Sequence, residues 1–160
     1  GNYAVGGIIG CIYGTVSECY SVGTVAQSYS TIPTSEGGAG GLAGKVYSGG
    51  SVLNCYARAT VQGYYSASGL VDDNAGTISY SYAAGTMTAP NIGRLVSSNT
   101  GTVTNSYDTT ISDSYYSSTF KNTLASGWNS GIWALDTAGS VNDGYPYLIY
   151  FGDATVRPTP

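Results

Sequence analysis

Charge is the scarcest property of this chain of 160 residues. Only 9% of the residues are charged, against roughly a quarter in an average domain. The five basic residues are scattered at Lys45, Arg58, Arg94, Lys121 and Arg157. Because they form no basic stripe that would hold phosphate groups, we expect no nucleic acid among the partners.

Long apolar runs are also missing. No run reaches the length of about 18 residues that predicts a membrane-spanning helix, so we expect no direct membrane span in this segment. The first residues lack the positive and apolar regions of a signal peptide. Any export signal would therefore have been removed or lie outside these residues, and residues 1–6 look like the tail of a preceding coil.

The usual groups of enzymes and metal sites are scarce as well. Histidine is absent, and no Gly-x-Ser-x-Gly elbow or phosphate-binding loop occurs. A cysteine nucleophile would therefore lack its usual base. With no histidine and no Cys-x-x-Cys pair, the three cysteines predict no metal site, and we expect no cofactor and no enzyme activity.

Glycine and tyrosine are abundant instead, with 24 and 16 residues, and they recur in a repeat. Copies run from Gly7 to Val25, from Gly41 to Val61 and from Gly69 to Met87, and a worn copy runs from Arg94 to Tyr107. The equivalent tyrosines, spaced 36, 26 and 25 residues apart, are Tyr20, Tyr56, Tyr82 and Tyr107. Self-similarity at such periods indicates a solenoid or another repeat array.

The repeat also resembles a known family. Gly41-Leu42-Ala43-Gly44, then Gly50-Ser51-Val52, then Cys55-Tyr56-Ala57 are similar to the GLUG motif of bacterial surface proteins. That family occurs in adhesin-like proteins and beside some immunoglobulin A peptidases. The resemblance implies a non-catalytic bacterial module for adhesion or spacing, extracellular or at the cell surface and part of a longer chain.

The fold that we predict is all-β: a β-solenoid, or β-helix-like stack, of about four short coils. Each copy is too short to close its own core, so its apolar residues must pack on the neighbouring copies. We expect two or three strands per coil, with glycines supplying the backbone angles at the corners. Three internal ladders follow: Ile8, Leu42, Leu70 and Leu95; Val16, Val52, Ile78 and Val103; and the four equivalent tyrosines. Periodicity alone leaves an antiparallel arrangement open.

The domain prediction places the repeat solenoid at 1–112, an aromatic capping segment at 113–151 and a tail or linker at 152–160. A short helix is expected from Thr119 to Trp128. The two tryptophans, Trp128 and Trp133, are predicted to close the last coil. A tryptophan-lined sugar groove is the functional alternative for the same residues.

The candidate partner contacts are aromatic and loop residues. An insertion between the first two copies carries Tyr29, Ile32 and Glu36, a longer turn carries Tyr47, and a later loop carries the pair Tyr64 and Tyr65. Such insertions become surface loops, and exposed tyrosines suit sugar rings. The partner would be a glycan or protein of a host or bacterial surface, and carbohydrate binding through exposed tyrosine or tryptophan is the alternative function.

Three smaller points remain open. Cys19 and Cys55 occupy the same repeat position, where we favour two buried thiols over a strained disulfide. Asp72 to Gly76 predicts a tight turn with solvated carboxylates, since the spacing of a calcium loop is incomplete. A β-helix enzyme that degrades polysaccharides is the least favoured function, because Lys45, Arg58 and Arg94 occupy non-equivalent repeat positions.

Overall fold

The computed structural model describes residues 4–28, 38–108 and 127–151. The chain forms two compact units, Gly1–Thr110 and Ile111–Pro160. The described part of the first unit is built from short strands that follow one another in four coils. Within the described ranges, no helix has the length and apolar character that crossing a membrane requires.

Each coil contains four strand positions. Coil 1 contains β1 (Ala4–Gly6), β2 (Ile9–Ile12), β3 (Thr15–Ser17) and β4 (Tyr20–Ala26). Coil 2 contains β5 (Gly38–Gly40), β6 (Ala43–Val46), β7 (Ser51–Leu53) and β8 (Tyr56–Gln62). Coil 3 contains β9 (Ser66–Ser68), β10 (Val71–Asn74), β11 (Thr77–Ser79), β12 (Tyr82–Ala83) and β13 (Thr86–Thr88), the last two together matching β8. Coil 4 contains β14 (Asn91–Gly93), β15 (Val96–Asn99), β16 (Thr102–Thr104) and β17 (Tyr107–Asp108).

Equivalent strands of successive coils pair in parallel and form four sheets. Sheet A joins β1, β5, β9 and β14, and sheet B joins β2, β6, β10 and β15. Sheet C joins β3, β7, β11 and β16, and sheet D joins β4, β8, β12, β13 and β17. The predicted solenoid is therefore confirmed, and the pairing in the described coils is parallel.

The prediction of two or three strands per coil is wrong, because sheet A supplies a fourth. Its strands read Gly-Ala-Gly in β5 and Ser-Ala-Ser in β9. The small residues of β5 and β9 have little β-propensity of their own, so these two strands lack the apolar or β-branched run from which a strand is predicted. Tertiary pairing makes the strand: Ala39 pairs with Ala67, and both side chains are fully buried.

The predicted ladders are present. Val52 pairs with Val16 and Ile78, and Ile78 pairs with Val103. In the leucine ladder, the N–H of Leu42 donates to the carbonyl of Leu70, whose N–H donates to the carbonyl of Leu95. Leu42 and Leu70 are fully buried, but Ile8 is 47% exposed. Ile8 lies in coil 1, which has a neighbouring coil on one side only within the described residues.

The tyrosine ladder is confirmed as a structural feature. Tyr56 stacks on Tyr20 and on Tyr82, with ring centroids 5.0 Å apart in both pairs. Tyr82 also pairs with Tyr107 in sheet D. Tyr56 and Tyr82 are buried, and burial raises the pKa of Tyr56. Both therefore belong to the packed structure of the first unit.

Corners between sheets C and D depart from the expected use of glycine. The corner residue of every coil has a positive φ, between 47° and 52°, and none is glycine: Glu18, Asn54, Tyr80 and Asn105. The next residue in each coil, at the position of Cys19, Cys55, Ser81 and Ser106, fixes the corner by hydrogen bonds. Ser81 Oγ donates to the carbonyl of Ser79 (2.9 Å) and accepts from the N–H of Cys55 (3.1 Å).

The second unit is described from 127 to 151. Its strands β18 (Trp133–Ala134) and β19 (Tyr147–Leu148) pair antiparallel, and a 3-10 helix spans Ile149–Phe151. Trp128 and Trp133 contact each other with ring centroids 4.6 Å apart. The predicted cap over the repeat stays a prediction. The tail at 152–160 and nearly all of the expected helix from 119 to 128 lie outside the described residues.

Candidate functional site

An exposed pair of stacked tyrosines marks the connection between sheets B and C. Tyr13 follows β2 and Tyr47 follows β6, and their rings are nearly parallel, with centroids 4.3 Å apart and an interplanar angle of 7°. The N–H of Tyr47 donates to the carbonyl of Ile12 (2.9 Å), so the two tyrosines occupy equivalent places in neighbouring coils. Tyr13 is 69% exposed.

An ion pair lies beside the tyrosines on sheet B. Lys45 pairs with Asp73 in the strand register, and Lys45 Nζ lies 2.5 Å from the Asp73 carboxylate. The same Nζ lies over the Tyr47 ring, 5.1 Å from its centroid. The hydrogen bond with Asp73 raises the pKa of Lys45, so the ammonium stays protonated next to the ring.

The hydroxyl groups of the two tyrosines also interact. A side-chain hydrogen bond with Tyr47 is the main cause of a raised pKa at Tyr13. The corner therefore presents an aromatic face and a polar edge with hydroxyl donors and acceptors. We call Tyr13, Tyr47, Lys45 and Asp73 the tyrosine corner.

The sequence-predicted contacts are spread over several places. Tyr47 lies in the tyrosine corner, whereas Tyr64 and Tyr65 lie between β8 and β9, where they are 50% and 41% exposed. The N–H of Tyr64 donates to Gln27 Oε1 (3.1 Å), which ties that loop to coil 1. The remaining candidates, Tyr29, Ile32 and Glu36, lie outside the described residues.

Sequence reasoning missed Tyr13. The signal was present, because Gly10-Cys-Ile-Tyr13 aligns with Gly44-Lys-Val-Tyr47 in the repeat. Coil 2 has two more residues than coil 1 after this tyrosine, and the difference in turn length hid the match. Stacking of neighbouring coils then brings the two rings into contact.

The prediction of solvated carboxylates at Asp72 and Asp73 is wrong for Asp72. Both residues lie in the strand β10, and Asp72 is buried. Ser66 Oγ donates to Asp72 Oδ2 (2.9 Å), and Ser68 Oγ contacts Oδ1 at 3.3 Å. The carboxylate fits because Gly38 has no side chain: a Cβ there would lie 2.2 Å from Oδ2.

Burial is the main influence on the pKa of Asp72. It raises the pKa of this carboxyl, while the bonds from Ser66 and Ser68 lower it. Asp73 instead bonds to Lys45. Adjacent acids on one strand thus have different surroundings, as strand geometry requires, and they do not form a shared acid and base pair.

All three cysteines are free thiols, so the favoured interpretation of Cys19 and Cys55 is confirmed, although Cys19 is only half-buried. Burial raises the pKa of the Cys55 thiol to about 12, and its Sγ donates to the carbonyl of Leu53 (3.3 Å). Cys55 therefore stays protonated and is a poor nucleophile. In the ranges that the structure describes, no three histidine, cysteine or acidic side chains group as metal ligands.

The second unit contains a structural carboxylate and buried aromatics. Asp136 accepts hydrogen bonds from the N–H groups of Ser140, Val141, Asn142 and Gly144. Although burial acts in the opposite direction, these bonds lower its pKa to about 2. Trp128 and Trp133 are both buried, and the tryptophan-lined sugar groove, the alternative from the sequence, stays a prediction.

One segment of the chain matches a known family model. Residues 35–62 match the family model described as the GLUG motif. No curated protein and no solved structure matches the chain. The match covers β5 to β8, so a GLUG motif in this chain is one full coil, and the resemblance of the second copy to that motif is confirmed.

Proposed function

We propose that this chain is a non-catalytic module at the surface of a bacterium, where it serves adhesion or holds another domain away from the envelope. One observation carries the proposal: the segment that matches the GLUG motif is one of four coils stacked in a common register. The same motif, by resemblance, belongs to adhesin-like surface proteins.

The construction of the stack suits such a role. Each added coil extends the four parallel sheets by one strand, a rise of about 4.8 Å. Stability in such arrays comes from nearest-neighbour contacts, so length is increased by adding coils without a new fold.

The environments of the reactive groups support the non-catalytic part of the proposal. Asp72 binds Ser66 and Ser68, and Asp73 binds Lys45. Asp136 organises a loop through backbone N–H groups. Each of these carboxylates has a structural role, and Lys45 and Arg58 lie on different sheets, B and D.

Antibody fragments provide the test. Fab fragments raised against the chain should label intact, unpermeabilised cells of the organism that makes it. If the module is adhesive, the same fragments should reduce attachment of those cells to host or bacterial surfaces; if it is a spacer, attachment should not change. Labelling that appears only after the cells are permeabilised would overturn the surface proposal.

Carbohydrate binding is the second candidate function. The stacked and exposed pair of Tyr13 and Tyr47 favours it, because rigid aromatic faces at a surface are suited to sugar rings. In that case, the module would hold a glycan directly instead of a protein.

A further inference from the structure

The ring of Tyr13 has one covered face and one open face. Tyr47 covers one face at 4.3 Å, yet Tyr13 still exposes 69% of its surface. A ring stacked on one side can remain so exposed only if its other face is open to solvent. The open face lies on the side of coil 1 that is away from coil 2.

Residues of coil 2 hold the ring of Tyr13 in position. Tyr47 is placed by the backbone bond to Ile12, and the Lys45 ammonium lies over its ring. Because Tyr13 occupies one face of Tyr47, we place Lys45 on the other face, next to its partner Asp73 in coil 3. A ring held in this way loses little conformational entropy when a ligand stacks on it.

From this geometry we propose that the open face of Tyr13 binds a neutral pyranose of a surface glycan, with the Tyr13 hydroxyl as a polar contact at the edge of the ring. The inference rests on the proposed adhesive function and names its ligand. A pyranose has a face of C–H groups that packs on the negative face of an aromatic ring. Its hydroxyl groups can donate to, and accept from, the Tyr13 hydroxyl at the edge of the ring.

The charge of the corner decides between neutral and acidic sugars. Lys45 is already paired with Asp73, so the corner carries no unpaired cation for a carboxylate or sulfate. The whole chain has a formal net charge of -4, which repels acidic glycans. A neutral hexose or N-acetylhexosamine avoids both costs.

Calorimetric titration of the full chain tests the inference. The probes are neutral β-linked oligosaccharides of glucose, galactose and N-acetylglucosamine, with an oligogalacturonate as the acidic comparison. We expect a neutral probe to bind, and we expect Tyr13→Ala to weaken that binding at least about tenfold, or about 1.4 kcal/mol. Tyr13→Phe keeps the ring and should retain most of the affinity.

Tyr64→Ala is the matched control, because Tyr64 is also exposed but lies between β8 and β9. It should bind the neutral probe as the unaltered chain does. Since Tyr13 is mostly solvent-exposed, Tyr13→Ala should also keep the thermal unfolding midpoint, so a loss of binding would not reflect unfolding.

Three results would overturn the inference: no binding of any neutral probe at millimolar concentration, tighter binding of the oligogalacturonate, or loss of binding in Tyr64→Ala but not in Tyr13→Ala. Blocking of cell attachment by Fab fragments in the absence of glycan binding would leave the adhesive function in place and reject the sugar ligand alone. Absence of cell-surface labelling would instead reject the proposed function, whatever the titration shows.

Discussion

Gly41 faces the carbonyl of Gly69 in the next coil so closely that a Cβ on Gly41 would lie 2.1 Å from that oxygen. The same Cβ would lie 2.9 Å from the Cβ of Ala57, across the interior of coil 2. The first glycine of the motif and the small residue after its tyrosine are therefore two sides of one contact. Glycine is needed here for close approach, and its φ is not in the left-handed region.

A methyl group at Gly41 should therefore destabilise the repeat. We expect Gly41→Ala to lower the free energy of unfolding by about 3 kcal/mol or more, because the clash is with backbone that cannot move without shifting the next coil. Urea denaturation followed by far-ultraviolet circular dichroism measures the change. Gly14→Ala is the control, since the described chain leaves open space around Gly14, and it should stay within about 0.5 kcal/mol. Equal effects of the two substitutions would refute this account.

Tyr80 offers the opposite change. It has a φ of 49°, and the equivalent corners of coils 2 and 4 are Asn54 and Asn105. Because asparagine tolerates the left-handed region better than tyrosine, Tyr80→Asn should stabilise the fold by about 1 kcal/mol. Thermal denaturation should show a higher midpoint for Tyr80→Asn than for the unaltered chain. Tyr80→Phe keeps the backbone strain, so its midpoint should not rise. A lower midpoint for Tyr80→Asn would mean that the tyrosine ring contributes more than the strain costs.

Asp72 should make the repeat less stable as pH rises. Burial raises its folded-state pKa above the ordinary value of 3.8. The folded state therefore holds the proton more tightly, so stability is highest below the unfolded pKa and declines as pH rises through the folded pKa. Asp72→Asn should remove this decline and be more stable than the unaltered chain at pH 7.

Unfolding in urea at a series of pH values from acid to neutral measures that effect. Asp73→Asn is the control: it breaks a half-exposed ion pair with Lys45, so it should cost no more than about 1 kcal/mol and leave the decline in place. A decline that persists in Asp72→Asn would assign it to another group.

Asp136 should have the opposite dependence on pH in the second unit. Its folded-state pKa is lowered to about 2. The stabilisation is present above the ordinary value of 3.8 and is lost as pH falls through about 2. Asp136→Ala leaves the N–H groups of Val141 and Asn142 without their acceptor, and we expect a loss of at least about 2 kcal/mol.

Tryptophan fluorescence reports on this change selectively, because both tryptophans, Trp128 and Trp133, belong to the second unit. Asp143→Asn keeps the size and the left-handed tolerance of its residue, whose φ is 50°, and serves as the control. If acid exposes the tryptophans of Asp136→Ala and of the unaltered chain at the same pH, Asp136 does not set the acid limit of this unit.

Repetition explains why so much of the first unit could be predicted. Once Tyr56 and Tyr82 are recognised as equivalent residues, a stacked fold must bring their side chains together, and the same reasoning gives the ladder of Val52 and Ile78. Equivalent positions in the sequence become neighbours in space, and this contact can be predicted without knowing the cross-section of the coil. The register of sheets C and D follows directly.

The parts that escaped prediction depend on contacts between non-equivalent positions. Burial of Asp72 requires the absence of a side chain at Gly38 and the hydroxyl of Ser66, which lie on sheet A. Each strand of sheet A carries a single central apolar residue, at Val5, Ala39, Ala67 and Ile92, between glycine, serine, alanine or asparagine. One apolar residue per strand is too weak a pattern to predict the sheet or its contact with sheet B. Tyr13 was missed because turns of different length separate it and Tyr47 from the next strand.

Paired residues of coils 3 and 4 are separated by the same number of residues along the chain in sheets A and D, since Ile92 pairs with Ala67 and Tyr107 pairs with Tyr82. A tandem duplication of a stretch of that length within coils 3 and 4 would insert one complete layer and keep the strand pairing above and below it. Other lengths fit only where the extra residues lie in turns between strands, as in the earlier coils, whose tyrosines are 36 and 26 residues apart. Growth or shrinkage of the repeat by unequal recombination would thus proceed by whole layers, and the height of the stack would change while the chemistry of its faces stays the same.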